Sequence, residues 1–163
     1  MAAWRKSTAI ATIRDLGLTD YAEQAVQAGH LDLAEVEAAM AEYRQFLLLI
    51  WVNRMVTDES FIIPTLRADQ IWHEHILDSA AYRDFCMRLV NRHIDHLPGL
   101  KRGTPGHDEA LAHTRKVHGG FGEGGFVATY LGVEAGSMRE GRWDGVFPRT
   151  FLSIEGGSDC GGD

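Results

Sequence analysis

The sequence has little of what marks secreted, disulfide-stapled or membrane-spanning proteins. Its two cysteines, Cys86 and Cys160, are too few for a disulfide framework and predict a reducing, cytoplasmic compartment. The longest apolar run, Phe46 to Val52, has seven residues, whereas a transmembrane helix needs about 20. The basic N-terminal residues lack the continuous apolar segment of a secretory signal. We therefore expect no association with a membrane.

An excess of positive charge is also missing. The 163 residues carry 16 Lys and Arg against 23 Asp and Glu, a net charge of −7, which disfavours a nucleic-acid partner. There is no G-x-S-x-G and no C-x-x-C, and the glycine-rich run at 121–126 is not followed by the Lys-Ser/Thr of a phosphate loop. The apolar fraction of 45% is nevertheless sufficient for the core of one domain.

Apolar spacing typical of helices recurs along the chain, and alternation with period two is not sustained. The segment 33–55 contains no Gly or Pro, and its FLLLIWV stretch is apolar on every face, which predicts the central helix of a bundle. Asp32, at the start of this helix, and Glu35, in its first turn, have the spacing of a capping box. Further helices are predicted over 7–16, 20–26 (capped by Thr19 or Asp20), 68–77, 80–90 and 107–117.

These patterns predict a mainly α fold, a small single-domain helical bundle. The helices over 68–77 and 80–90 are joined by two residues and should pack as an αα-hairpin. We assign 1–118 to the helical domain and 119–155 to an irregular, glycine-interrupted extension packed on it. The glycine-rich residues 156–163 are expected to form a flexible C-terminal tail.

Histidine is concentrated in the middle of the chain, and its neighbours there are typical of a metal site. Asp69 and His73 are four residues apart on a predicted helix, so the carboxylate can orient the imidazole. His75 is two residues further on and points about 200° away from His73, so the two cannot both bind one ion unless the helix breaks there. For the same reason H-E-H is not the zinc-protease motif H-E-x-x-H.

The second helix of the hairpin supplies further candidates. Tyr82 and Cys86 are four residues apart on its inward face, and His93 and His96 follow its end. When the hairpin closes, His73, Cys86 and one of these two histidines could converge. Imidazole and thiolate donors suit Zn, Fe or Cu ions.

Each of these residues also has a structural interpretation, which the sequence leaves open. His73 could be a packing histidine, Cys86 an inert core thiol, and Tyr82 a core residue whose hydroxyl is satisfied. His93 and His96 could do no more than interact with the dipole at a helix end.

The motif D-x-x-W-H-x-H-x-L, followed by Y-x-x-F-C and H-x-P, resembles the glycine-rich domain-containing protein-like family. The resemblance covers about residues 34–99, and the ending SDCGGD is similar to the ends of short bacterial members. It implies a mainly helical fold and no particular reaction. The motif positions that it marks are Asp69, Trp72, His73, Tyr82, Cys86 and His96.

Three functional hypotheses follow. In the first, the protein is a small metalloenzyme that acts on a small molecule or peptide, by hydrolysis on zinc or oxidation on iron or copper. Asp69 would orient a ligand and Tyr82 would serve as hydrogen-bond donor or acid/base. The predicted metal ligands are His73, His96 and Cys86, with His93 and His75 as reserves.

In the second hypothesis the protein is a non-catalytic helical adaptor. The cluster of Asp69, Trp72 and His73 then holds the hairpin together, and the C-terminal tail can dock a protein partner. In the third, the same ligands store or deliver a metal ion and need no substrate pocket. Metal content, and how readily the ion exchanges, separate the three.

Overall fold

A computed structural model describes residues 6–56, 62–96 and 104–119, and these residues form six α-helices with no strand among them. This confirms the mainly α fold. A 3-10 turn, Leu33–Glu35, precedes the third helix. The helices are α1 Lys6–Arg14, α2 Leu18–Gln27, α3 Val36–Val56, α4 Leu66–Leu77, α5 Ser79–Val90 and α6 Pro105–Gly119.

The long helix α3 is the centre of the bundle. It packs against α1, α2, α4, α5 and α6, and six of the seven residues of its apolar stretch are buried. This is why the stretch has no polar face. The FLLLIWV residues that are at most 3% exposed are Phe46, Leu47, Leu48, Leu49, Trp51 and Val52.

Two predicted helix caps are wrong. The residue that caps α2 is Gly17, one position before the helix, so Thr19 and Asp20 lie inside its first turn. Asp32 makes no side-chain cap hydrogen bond, because the 3-10 turn that follows it is closed by the backbone instead. There the Glu35 amide donates to the Asp32 carbonyl at 2.9 Å.

Helix α4 begins two residues earlier than predicted, because Thr65 caps it. The Thr65 hydroxyl oxygen accepts a hydrogen bond from the Ala68 amide at 3.2 Å and donates to the carboxylate of Glu42 on α3. The Arg67 guanidinium donates to the same carboxylate. These polar contacts, together with packing on α2 and α3, fix the orientation of α4.

Helices α4 and α5 pack against each other as the predicted hairpin, with only Asp78 between them. α5 ends where Asn91 adopts the left-handed conformation, with φ of 55°. Asparagine tolerates this backbone better than most residues, and it commonly ends helices in this way. Beyond Asn91 the segment 93–96 is not helical, and it brings His96 against α4.

None of the helices in the described ranges is both long and apolar enough to cross a membrane. The predicted extension 119–155, apart from Gly119 at the end of α6, and the predicted tail 156–163 with Cys160 lie outside the described residues.

Candidate metal centre

Asp69, His73 and His96 bring three donor atoms together, and we call them the Asp–His–His group. Nε2 of His73 lies 2.9 Å from Nε2 of His96. Nε2 of His96 is 3.2 Å from Oδ1 of Asp69, and Nε2 of His73 is 3.7 Å from Oδ2 of the same carboxylate. All three donors lie within 4.8 Å of one another, and no other such group of His, Cys, Asp or Glu occurs among the described residues.

The group joins two segments that are distant in sequence. Asp69 and His73 lie four residues apart on one face of α4, and His96 arrives from the segment that follows α5. The Asp69 side chain is 1% exposed, that of His96 15% and that of His73 28%. The carboxylate therefore lies at the buried end of the group, and His73 lies at the end that is open to solvent.

A chain of contacts holds the His96 segment in place. The Trp72 ring packs on the His96 ring with centroids 4.6 Å apart. The Trp72 indole N–H donates to the Tyr82 hydroxyl at 2.9 Å, and that hydroxyl donates to the Ile94 carbonyl at 2.7 Å. We call this chain the Trp72–Tyr82–Ile94 relay.

The relay bears on the acid/base role predicted for Tyr82. The hydroxyl has one proton, which is donated to a backbone carbonyl, and burial raises the pKa of Tyr82. In this arrangement the hydroxyl positions the segment that carries His96. The predicted acid/base role gains no support from these contacts.

His75 lies on the opposite side of α4, inside four aromatic rings that we call the aromatic cage. Its side chain is fully buried, and burial lowers its pKa to about 4, with Asp78 raising it slightly. The Tyr43 hydroxyl, whose pKa burial raises, lies 2.7 Å from Nδ1 of His75, and we assign it as the donor. The cage consists of Tyr21, Tyr43, Tyr82 and Phe85.

The structure brings two of the five predicted ligands, His73 and His96, into the group and leaves three outside it. His75 is in the cage. Cys86 is a fully buried free thiol of the core, and burial raises its pKa, although hydrogen bonding with the Ile94 backbone and with Tyr82 lowers it in part. The His93 side chain is 58% exposed, with Nε2 3.8 Å from Oδ1 of Asp95.

Sequence reasoning assigned Asp69 to the orientation of His73 and missed that its carboxylate could itself be a ligand. Its Oδ1 is closer to His96 than its Oδ2 is to His73, although the i, i+4 spacing pointed only to the latter. The sequence signal that could have found it is the combination of one carboxylate with two histidines, a common metal-binding set.

Comparison with known proteins adds a family and no reaction. Glycine-rich domain-containing proteins 1 and 2 of Arabidopsis thaliana are 36% and 33% identical to this chain over 61 residues. That stretch is 37% of the chain but only 7% and 8% of those proteins, so the chain spans under a tenth of their length. No solved structure matches.

The family model described as UCP032817-like matches residues 10–115. This range contains α2 to α5 entirely, and all of α1 and α6 except the first four residues of α1 and the last four of α6. The matched range also contains the whole Asp–His–His group. Together with the two plant relatives, this match confirms the family resemblance predicted from the motif. The chain belongs to the UCP032817-like family, and a 61-residue stretch of it is similar to the glycine-rich domain-containing proteins.

Proposed function

We propose that this protein binds one transition-metal ion through the Asp–His–His group and uses the ion's open coordination positions to act on a small molecule. The observation that carries the proposal is the convergence of three donor atoms, from two separate segments, within 4.8 Å. Two imidazoles and one carboxylate are a ligand set typical of catalytic zinc and of non-haem iron(II).

The separations between the donor atoms support an ion of this kind. Zinc binds nitrogen at about 2.1 Å, so two donors at right angles lie about 3.0 Å apart and two tetrahedral donors about 3.4 Å apart. The two Nε2 atoms are 2.9 Å apart, and the His96 nitrogen is 3.2 Å from Asp69 Oδ1. The third separation, from Nε2 of His73 to Oδ2 of Asp69, is 3.7 Å and involves the other oxygen of the carboxylate. Three ligands on one side of an ion would leave positions for water or substrate on the other.

Charge and burial support the same proposal. The Asp69 carboxylate is 1% exposed, and a buried carboxylate needs a counter-charge or hydrogen-bond donors. A divalent ion held by two neutral imidazoles would supply that charge. Because Cys86 is not in the group, the donors are nitrogen and oxygen only, which suits Zn²⁺ or Fe²⁺.

The adaptor hypothesis has an observation in its favour too. The distances of 2.9 and 3.2 Å also fit a single His96 Nε2–H group that donates to both Nε2 of His73 and Oδ1 of Asp69. The group would then tie α4 to the segment 93–96 without an ion. Metal content separates the two functions.

The test is elemental analysis of the protein after loading with Zn²⁺, or with Fe²⁺ under anaerobic conditions, and desalting. We expect about one ion per chain in the wild type, and loss of most of it in His73→Ala and His96→Ala. His30→Ala is the matched control, since this ring is largely exposed and outside the group, and it should retain the ion. His93→Ala should also retain it.

Open coordination is tested on the cobalt-loaded protein, whose visible spectrum reports ligand exchange. Added azide should change the spectrum if a position on the ion is open. Wild-type protein that retains neither Zn²⁺ nor Fe²⁺ would favour the adaptor instead. A tightly held ion whose spectrum ignores azide would contradict the catalytic part of the proposal.

A further inference from the structure

A cavity of about 270 Å³ lies beside the Asp–His–His group. Much of its lining is apolar, from side chains of α3, α4 and α5 and from the segments that flank them. The apolar lining residues are Phe46, Ile50, Ile62, Trp72, Val90 and Ile94. None of the three residues of the group lines it, so the cavity is a separate site.

The cavity and the group share a wall. Trp72 lines the cavity and also packs its ring on His96. Ile94 lines the cavity and accepts the hydrogen bond of Tyr82 that ends the relay. A molecule in the cavity would therefore touch the residues that position His96 without displacing a donor atom.

The size of the cavity sets the size of its ligand. An apolar protein cavity of about 150 Å³ is sufficient for benzene. The volume of 270 Å³ is enough for one aromatic ring with a short substituent of a few atoms. Phe46 and Trp72 offer the aromatic surfaces against which such a ring packs favourably.

The charged residues of the lining set the chemistry of that substituent. Arg54 and Arg92 contribute two guanidiniums to the lining. Asp95 is the one carboxylate among the described residues of this lining, and its side chain is 70% exposed and lies near His93. Each guanidinium has five N–H donors in a planar fork, so two of them in one lining favour a planar carboxylate as the polar group of a ligand.

We propose that the cavity binds a small organic carboxylate with a flat apolar body. The body lies against Trp72 and Phe46, and the carboxylate lies toward Arg54 and Arg92. This binding needs no metal ion, so it stands or falls apart from the proposed function.

The test is a titration of the ¹⁵N-labelled full chain with phenylacetate, followed by NMR. The signals to follow are the Trp72 indole and the backbone amides of Ile94 and Asp95. We expect saturable shifts at these positions, and at least about tenfold weaker binding of the neutral analogue phenylacetamide, since a charge-assisted hydrogen bond is lost. Equal binding of the two compounds, or shifts located elsewhere, would overturn the proposal.

Two substitutions sharpen the test. Arg54→Gln should weaken phenylacetate binding about tenfold, whereas Arg83→Gln removes an equal charge from an exposed position of α5 outside the lining and should leave binding unchanged. If Arg54→Gln fails to fold, Arg92→Gln serves, because that side chain is exposed. Ile50→Trp should fill the cavity and abolish binding; unchanged affinity in this variant would place the ligand elsewhere.

Discussion

His73 and His75 are two residues apart on α4, yet the protein uses them in opposite ways. The first is partly exposed and faces a carboxylate and a second imidazole. The second is fully buried among four aromatic rings, and its pKa is lowered to about 4. The helical period sends neighbours two apart to opposite faces, so one face of α4 meets a polar segment and the other meets the core.

The comparison teaches that residue type does not separate a functional histidine from a structural one. Both rings have a hydrogen-bond partner, the Tyr43 hydroxyl for His75 and the His96 ring for His73. What differs is the number of other polar atoms that the fold brings near. Of the two, only His73 has another imidazole nitrogen and a carboxylate close enough to bind the same ion.

The largest expected effect is on stability. His75→Ala should lower the free energy of unfolding by about 3 kcal/mol, because it leaves a cavity in the core and a buried Tyr43 hydroxyl without its acceptor. His73→Ala, at a partly exposed site, should lower it by about 1 kcal/mol or less in metal-free protein. Urea unfolding of the two variants measures the difference. Equal losses would remove the distinction drawn between the two faces.

The buried histidine should also give the stability a pH dependence. The folded pKa of His75 is about 4 and its ordinary value is 6.5, so between these values the unfolded chain binds more protons than the folded one. Stability present above pH 6.5 should therefore be lost as the pH falls toward 4, by up to about 3 kcal/mol. Urea unfolding from pH 7 to 4.5 measures it. His75→Gln should show a shallower decline, and an identical decline would assign the acid sensitivity to other groups.

Tyr82 contacts the surroundings of both His75 and His96, since its ring is part of the aromatic cage and its hydroxyl belongs to the Trp72–Tyr82–Ile94 relay. Tyr82→Phe should cost about 2 kcal/mol of stability, because the Trp72 N–H and the Ile94 carbonyl lose their partner. It should also weaken metal binding about tenfold, because His96 is held less firmly. Competition with a chromogenic chelator measures the affinity. Tyr21→Phe, which removes only a hydroxyl bonded to Asp78, is the control and should leave it unchanged.

The smallest expected effect concerns the start of α4, which carries both histidines. Thr65→Ala should lower the free energy of unfolding by about 1 kcal/mol, because the cap of the Ala68 amide and the hydrogen bond to Glu42 are lost. Asp32→Ala is the matched control, since Asp32 stands at a helix start but makes no side-chain cap hydrogen bond. It should change the free energy of unfolding by only roughly 0.3 kcal/mol. Thermal unfolding compares them. A larger loss for Asp32→Ala would contradict the cap assignment.

The elements of the fold with strong local signals were predictable from the sequence. The absence of Gly and Pro predicted α3, and its uniformly apolar stretch predicted the central position. The helix ends were less predictable, because a backbone-closed turn at Asp32 and a side-chain cap at Thr65 depend on local geometry that spacing alone does not determine.

The site was predictable only as far as helical spacing reaches. The pair Asp69 and His73 follows from four-residue spacing on one helix. Whether His93 or His96 joins them depends on how the chain leaves α5, and no periodicity applies beyond a helix end. The contact between Tyr43 and His75 spans 32 residues and depends on tertiary packing, so no local sequence pattern predicted the aromatic cage.

The left-handed turn at Asn91 has a consequence for the part of the chain between His73 and His96. By sending the backbone back to α4, it allows residues 23 positions apart to meet, with all of α5 inside the ring of chain between them. An ion bound by His73 and His96 would be a removable cross-link across that ring. Chelation would then open that ring, as the reduction of a disulfide opens a loop, and the loss of stability would depend on ion concentration.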